Sequence, residues 1–300
     1  MSAAQTDSTH KAMPAGRWRF GIRPVAVRQP VLIFCCAVLL LTICMALFAP
    51  LLADDPAQLN PIKRLKPPSA EEWFGTDQVG RSVFARVVWG ARVSLVIGAL
   101  VAIATTVVGV VIGVCAGYFR RLDAVIMRTM DAVMAIPSVL LAIALVAMIG
   151  SSPLVLVIAI SLPEIPRMAR MVRANVLVMR AQTYVEAAIT CGAGVPWILR
   201  HHILPGAAGL ILVQATYVLA SAMILEAILS FLGAGTPPDV PSWGNMMAEG
   251  RQFLQIAPWI LLFPAIFLTL IILAVNLLGD AMRDLLDPAA SLAVKKTDGM

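Results

Sequence analysis

The sequence predicts an all-helical, polytopic membrane protein with six transmembrane helices and both termini in the cytoplasm. Three observations carry that expectation. Hydrophobic residues make up 60% of the 300 residues and charged residues only 13%, a balance that does not suit a water-facing surface. Uncharged apolar runs near the roughly 20 residues needed to cross a bilayer recur along the chain. The Lys and Arg residues that give a net charge of +6 sit beside those runs rather than on one soluble face, so positive flanks of membrane helices explain them better than nucleic-acid binding.

Taken in order, residues 1–29 are polar and basic, with Lys11, Arg17, Arg19, Arg23 and Arg28, and no sustained apolar period; they are expected as a cytoplasmic tail. Residues 30–53 hold the first span. Its apolar run, Val31 to Ala53, is 23 residues long, whereas a signal-peptide core has about 7–15, so a retained anchor is the better reading. Residues 54–92 form a polar stretch expected as a periplasmic loop with an interfacial helix, because Val79, Val83, Phe84, Val87 and Val88 recur at helical spacing while Arg81, Arg86 and Arg92 fall off that stripe. The second span is Val93 to Phe119, ended by Arg120, Arg121, Asp123 and Arg128.

Residues 132–163 then run 32 positions without a charge, too long for one crossing and interrupted at Gly150-Ser151-Ser152-Pro153; two spans joined by a tight outer turn fit. Pro163 and Pro166 are expected to bend the inner end of the fourth span, and Glu164 with Arg167 can pair at i, i+3, which lowers the cost of either near lipid. Span five is Gly206 to Phe231 and carries one acid, Glu226. An outer loop over Pro237 to Gly250 precedes span six, Phe253 to Gly279, and a polar tail follows. In this arrangement 16 of the 23 Lys and Arg residues lie inside and 7 outside, which agrees with the positive-inside rule.

The five cysteines are odd in number and fall in apolar spans or the inner stretch, without metal-ligand spacing, so they read as small buried hydrophobes. No Lys follows a Gly, hence no phosphate-binding loop of the ATPase type, and no cofactor or metal is expected. No nucleophile, base and orienting acid occur together, and the protein is read as a non-catalytic subunit.

The one long charged, glycine-broken stretch between spans is Tyr184 to Pro205. It reads as a helix, a turn at Gly192 and Gly194, and a short second helix with Pro196 in its first turn and Pro205 closing it. Glu186, Ala187, Ala188, Gly192, Ile203, Leu204 and Pro205 resemble the E-A-A, three residues, Gly, apolar-Leu-Pro loop of permease subunits in binding-protein-dependent ABC importers. The lead-in Pro166, Ala169, Arg170, Val172 and Arg173 resembles the same family. Phe74 to Asp77, Gly80, Arg81, Gly90 to Arg92, Ser94 and Leu95, with the Leu225-Glu226-Ala227, Leu229 to Gly233 and Pro241 to Met246 pieces, resemble its dipeptide, oligopeptide, glutathione and nickel C-type branch.

That resemblance implies a permease core over residues 93–285, with a coupling loop at 170–205 that docks on a cytoplasmic ATPase, and a tail at 286–300. It implies a second permease subunit, two cytoplasmic ATPase subunits that hydrolyse the ATP, a periplasmic substrate-binding protein, and a place in the bacterial inner membrane. Peptides are the implied cargo, with nickel chelates, glutathione and opine-like solutes as alternatives within the family. Glu226 is open to two readings, a contact on the substrate path or a structural acid hydrogen-bonded to a neighbouring helix. A self-contained secondary transporter is the rival from another class, and the absence of an Asp, Glu and His relay along the spans speaks against it.

Overall fold

The computed structural model describes residues 30–237 and 239–286; the expected tail at 1–29 and nearly all of that at 286–300 lie outside the described residues. Every regular element of the described residues is helical, and a largely irregular stretch over residues 53–82 separates the first helices from the rest. α1 (Pro30–Leu47) and the one-turn α2 (Ala49–Leu52) follow the first apolar run. α3 (Val83–Tyr118) is followed by α4 (Arg120–Met134), α5 (Ser138–Ile149) and α6 (Pro153–Arg180). α7 (Thr183–Thr190), α8 (Val195–Ile198) and α9 (Leu204–Phe231) come next, then α10 (Trp243–Gly250) and α11 (Trp259–Leu286).

Among the described residues, three helical stretches are long and apolar enough to cross a membrane alone: 83–118, 195–231 and 259–283. α4 and α5 pass that test only together, bent by 84° at the break before Pro137, a residue whose ring disfavours helix at the position preceding it. The third expected span is therefore short: α5 has 12 residues, about 18 Å. The expected turn at Gly150 to Pro153 is present, with Gly150 at φ 103 and the Ser152 hydroxyl accepting from Val155 N at 3.3 Å.

Two expectations need correction. No separate interfacial helix precedes the second span, because helix α3 starts at Val83 and runs 36 residues without interruption. The reason is packing: Val83, Val87 and Ala91 are fully buried in a cluster with Trp243, Met246 and Ile260. Pro205 also closes nothing. A single π-helical turn, Leu199–Ile203, joins α8 to α9, with Leu204 N donating to Leu199 O, so the helix runs on through Pro205 and the wider turn just before it takes up the local break in α-helical bonding. α6 likewise continues through Pro163 and Pro166.

The bundle is held by close backbone approach. Gly109, Gly113 and Gly117 line one face of α3, and a Cβ on them would come within 2.6 Å of Met168 Cγ, 2.6 Å of the Ala169 carbonyl and 2.7 Å of Val176 Cβ, all on α6. Small residues at such contacts are how helices associate where lipid removes the hydrophobic drive. Gly113→Val is expected to force α3 from α6 at a cost of about 1–3 kcal/mol, read as a lowered melting temperature of the purified protein in detergent.

One end of the bundle gathers the C-terminal ends of α3 and α6, the hairpin α7–α8, the start of α9 and the C-terminal part of α11: Arg180 donates to the Tyr118 carbonyl at 2.7 Å, and Tyr217 Oη donates to Asp280. Asp123 of α4 bridges to Arg173 of α6 at 2.5 Å, locking the elbow against the bundle. The opposite end carries residues 53–82, α10 and the start of α11.

Candidate functional site

The hairpin is built on a helix C-cap. Gly192 N donates to Ile189 O and Ala193 N to Ala188 O, both at 3.0 Å, with Gly192 at φ 82. This is the paired bonding of a Schellman motif, in which the residue after the cap turns left-handed. Gly194 differs from the expectation that both glycines reverse the chain: its φ of −70 and ψ of 156 are open to any residue, and it caps α8 ahead of Pro196. The glycine demand of the turn rests on Gly192 alone.

The hairpin is anchored by Val185, Ile198 and Ile203, all buried in the same cluster as Val172 and Val176 of α6. Its tip faces out. Glu186, Ala187 and Gly192 are exposed, Ala188 is half-buried, and Tyr184, Ile189 and Trp197 are each close to half exposed. Among the described residues no partner reaches the Glu186 carboxylate. Ile203 thus holds the hairpin down, whereas Leu204 and Pro205 stay on the surface at the start of α9. Trp197 stacks on His201 at 4.8 Å and meets His202 edge-on at 5.1 Å; His201 Nδ1 lies 3.0 Å from the Trp197 carbonyl, which puts its proton on Nδ1. The tip is thus apolar and aromatic, stands on a packed base and carries one free carboxylate.

Glu226 sits elsewhere, fully enclosed. Its carboxylate accepts from Ser230 Oγ at 2.9 Å and Ser94 Oγ at 3.5 Å, and Ser94 also accepts from Trp243 N at 3.5 Å. The acid therefore ties α9 to α3 and to the start of α10. Trp243 Nε1 donates to the Val87 carbonyl at 3.0 Å, and Asn245 Nδ2 spans the Thr236, Pro237 and Val240 carbonyls, so the expected outer loop is folded into the bundle. Glu226→Gln is expected to preserve assembly and uptake. Glu226→Leu, which strands the serine hydroxyls at about 1–3 kcal/mol, should lower the yield of folded protein in membranes.

The end opposite the hairpin holds an ion cluster that the helical stripe conceals. Arg86 is buried rather than facing water: its guanidinium meets Glu249 at 2.6 and 2.9 Å and Asp77 Oδ2 at 3.0 Å. Arg81 bridges the same two acids at 2.6 and 2.9 Å, while Asp77 Oδ1 accepts from Val79 N and Arg81 N. Gly75 and Gly80, at φ 72 and 80, allow this loop, since a Cβ on Gly80 would lie 1.8 Å from the Asn60 carbonyl. Nearby, Glu72 at 2.9 Å holds the Lys63 ammonium above the usual lysine range. Glu249 was not singled out by the sequence; it lies 163 residues from Arg86, a separation that no local pattern bridges.

A second polar site opens between α5, α6, α9 and α11, a cavity of about 290 Å³ lined by Ser138, Glu164, Arg167, Tyr217, Ser221 and Asn276 among others. Glu164 bonds Arg167 Nη1 at 3.0 and 3.2 Å, as its i, i+3 spacing predicts, and also accepts from Ser221 Oγ at 3.0 Å.

Residues 106–292 match the family model described as binding-protein-dependent transport system inner membrane component. A probable peptide ABC transporter permease of Sinorhizobium fredii is 50% identical over 88% of this chain and 91% of its own length. A dipeptide transport system permease of Alkalihalophilus pseudofirmus is 44% identical over 82% of each chain. A glutathione transport system permease of Pectobacterium atrosepticum is 42% identical over 74% of each.

Proposed function

This chain belongs to the family of binding-protein-dependent transport system inner membrane components, and we propose that within it the chain forms one half of a peptide pathway, with six spans and both termini in the cytoplasm. It is a multi-pass inner-membrane permease subunit of an ABC importer. The finer reading adds its partners: a second permease completes the pathway, two ATPases hydrolyse ATP on the cytoplasmic side, and a periplasmic binding protein delivers the solute. The six spans are α1, α3, the α4–α5 pair, α6, α8–α9 and α11. α6 is admitted despite its charges, since Glu164 is paired.

The observation that carries the coupling role is the hairpin itself. Glu186, Ala187, Ala188 and Gly192 crown a base fixed by Val185, Ile198 and Ile203, and the second arm runs without a break into α9 over 195–231. A push on the tip is therefore delivered along one rigid helix into the middle of the bundle. ATP binding closes the ATPase dimer, the hairpin follows, and α9 tilts to re-orient the path. Glu226, enclosed as it is, serves as a structural tie and not as a solute contact.

Relatives named for peptides, dipeptides and glutathione support small solutes with peptide-like ends. Affinity purification of the tagged protein from membranes tests the reading. Recovery of a second permease, an ATPase and a binding protein loaded with a peptide is expected. Recovery of the chain alone, active in proteoliposomes without ATP, would overturn it in favour of a secondary carrier.

A further inference from the structure

We propose that the polar cavity between α5, α6, α9 and α11 is the solute-contacting stretch of the pathway, with Glu164 taking the ammonium and Arg167 the carboxylate of a zwitterionic solute; this rests on the importer reading above. Depth is the first argument. With α6 taken as a span that enters the bilayer at Pro153, Glu164 lies 11 residues further on, about 16 Å along the helix, or near the middle of a hydrocarbon core of about 30 Å.

Burial is the second. The Glu164 side chain is 3% exposed but that of Arg167 is 59% exposed, so a guanidinium stands open at bilayer depth. Lipid cannot solvate it, and a charge there belongs to a water-filled path or the bundle interior. Glu164 engages only Nη1 of that guanidinium, leaving the other N–H groups for a carboxylate.

The lining is the third. Ser221 and Asn276 add neutral donors and acceptors, and the Tyr217–Asp280 bond continues the polar face toward the hairpin end. At about 290 Å³ the space is near the lower bound of small-molecule sites, about 300–1,000 Å³. Glu226 has none of these properties, being closed on all sides by its own partners. A solute with both charges exchanges with the internal pair: its ammonium replaces the guanidinium on Glu164 while its carboxylate takes the guanidinium, so no charge is left bare.

The test uses the full complex in membrane vesicles, with the native cysteines replaced and Ser221→Cys introduced. Cationic trimethylammonioethyl and anionic sulfonatoethyl methanethiosulfonates are the probes. Both are expected to label the introduced thiol in at least one nucleotide state, and Arg167→Gln should lower the anionic-to-cationic rate ratio about tenfold, with Arg167→Lys restoring it. Uptake of a free dipeptide by Arg167→Gln should fall about tenfold while uptake of its C-amidated form changes less than about twofold. Arg167→Gln leaves the buried Glu164 carboxylate with Ser221 Oγ alone, so it is read beside Arg167→Lys, which keeps the pair, and only after its melting temperature is found to match the parent's. No labelling in any nucleotide state, as when a partner permease seals the face, or an unchanged rate ratio, overturns the proposal. Labelling needs no transport, so its failure is distinct from failure to recover an ATPase, which would strike the importer reading instead.

Discussion

Glu249→Ala is expected to be the most destabilising single change in the chain. It removes one of two acids from Arg86, a guanidinium with a 2% exposed side chain, and leaves that charge buried with Asp77 alone at 3.0 Å. Breaking a buried pair by deleting one partner costs about 3–5 kcal/mol, because the surviving charge keeps its desolvation penalty and loses its compensation. The same truncation frees Arg81, whose other contact is again Asp77 at 2.6 Å. Glu249 is the sole cluster member on α10, so its loss leaves that helix held to the start of α3 only by the packing of Trp243 and Met246 and the Trp243 bond to the Val87 carbonyl, and frees the loop before Val83. We expect a fall in melting temperature on the order of 10 °C and faster proteolysis between residues 53 and 82. Glu249→Gln, which keeps an acceptor for the guanidinium, should fall between the two. A Glu249→Ala protein melting with the parent would mean that water reaches the cluster and screens Arg86.

The second large effect concerns coupling. Gly192→Val should leave the protein in the membrane and cut the ATPase recovered with it by tenfold or more. A Cβ at Gly192 meets nothing within 4 Å, so the penalty is purely conformational. The left-handed region costs a residue with a Cβ roughly 1–2 kcal/mol, and a β-branched one is rarer still there. A cost of about 1.4 kcal/mol is tenfold in an equilibrium. The strain is relieved by undoing the two bonds of the cap, Gly192 N to Ile189 O and Ala193 N to Ala188 O, which displaces the exposed tip while Val185 and Ile198 stay anchored. Gly194→Ala is the control. Its φ of −70 suits any residue, and a Cβ there comes no closer than 3.9 Å to Pro196, so docking should be retained. Undiminished ATPase recovery with Gly192→Val would remove the hairpin from the coupling role.

The hairpin was legible because its determinants are local. A helix that stops at a glycine, with three residues between it and a pair of alanines, announces the cap by sequence spacing, and the two arms follow from Pro196 and the apolar residues around it. The continuity through Pro205 was not legible. Proline is read as a stop, and only the π turn at Leu199–Ile203 shows how the ring is passed. Arg86 was misplaced for a related reason: off a helical stripe, a charge reads as solvent-facing, unless an acid 163 residues away covers it.

The sequence by itself determined the solvent, the helical class and the motif that places this chain in its family, since each depends on composition or on residues within a few turns of one another. Only the tertiary structure decided which charges are open and which are closed. Glu164 and Glu226 are the two acids of the apolar spans, and the sequence offers Glu164 an i, i+3 partner in Arg167 without telling which of the two carboxylates is open. One shares a cavity with the exposed Arg167, and the other is sealed among Ser94, Ser230 and Trp243. The difference lies in which helices close over each carboxylate. That is set by contacts between distant segments, such as the glycine face of α3 against α6, which no local pattern encodes.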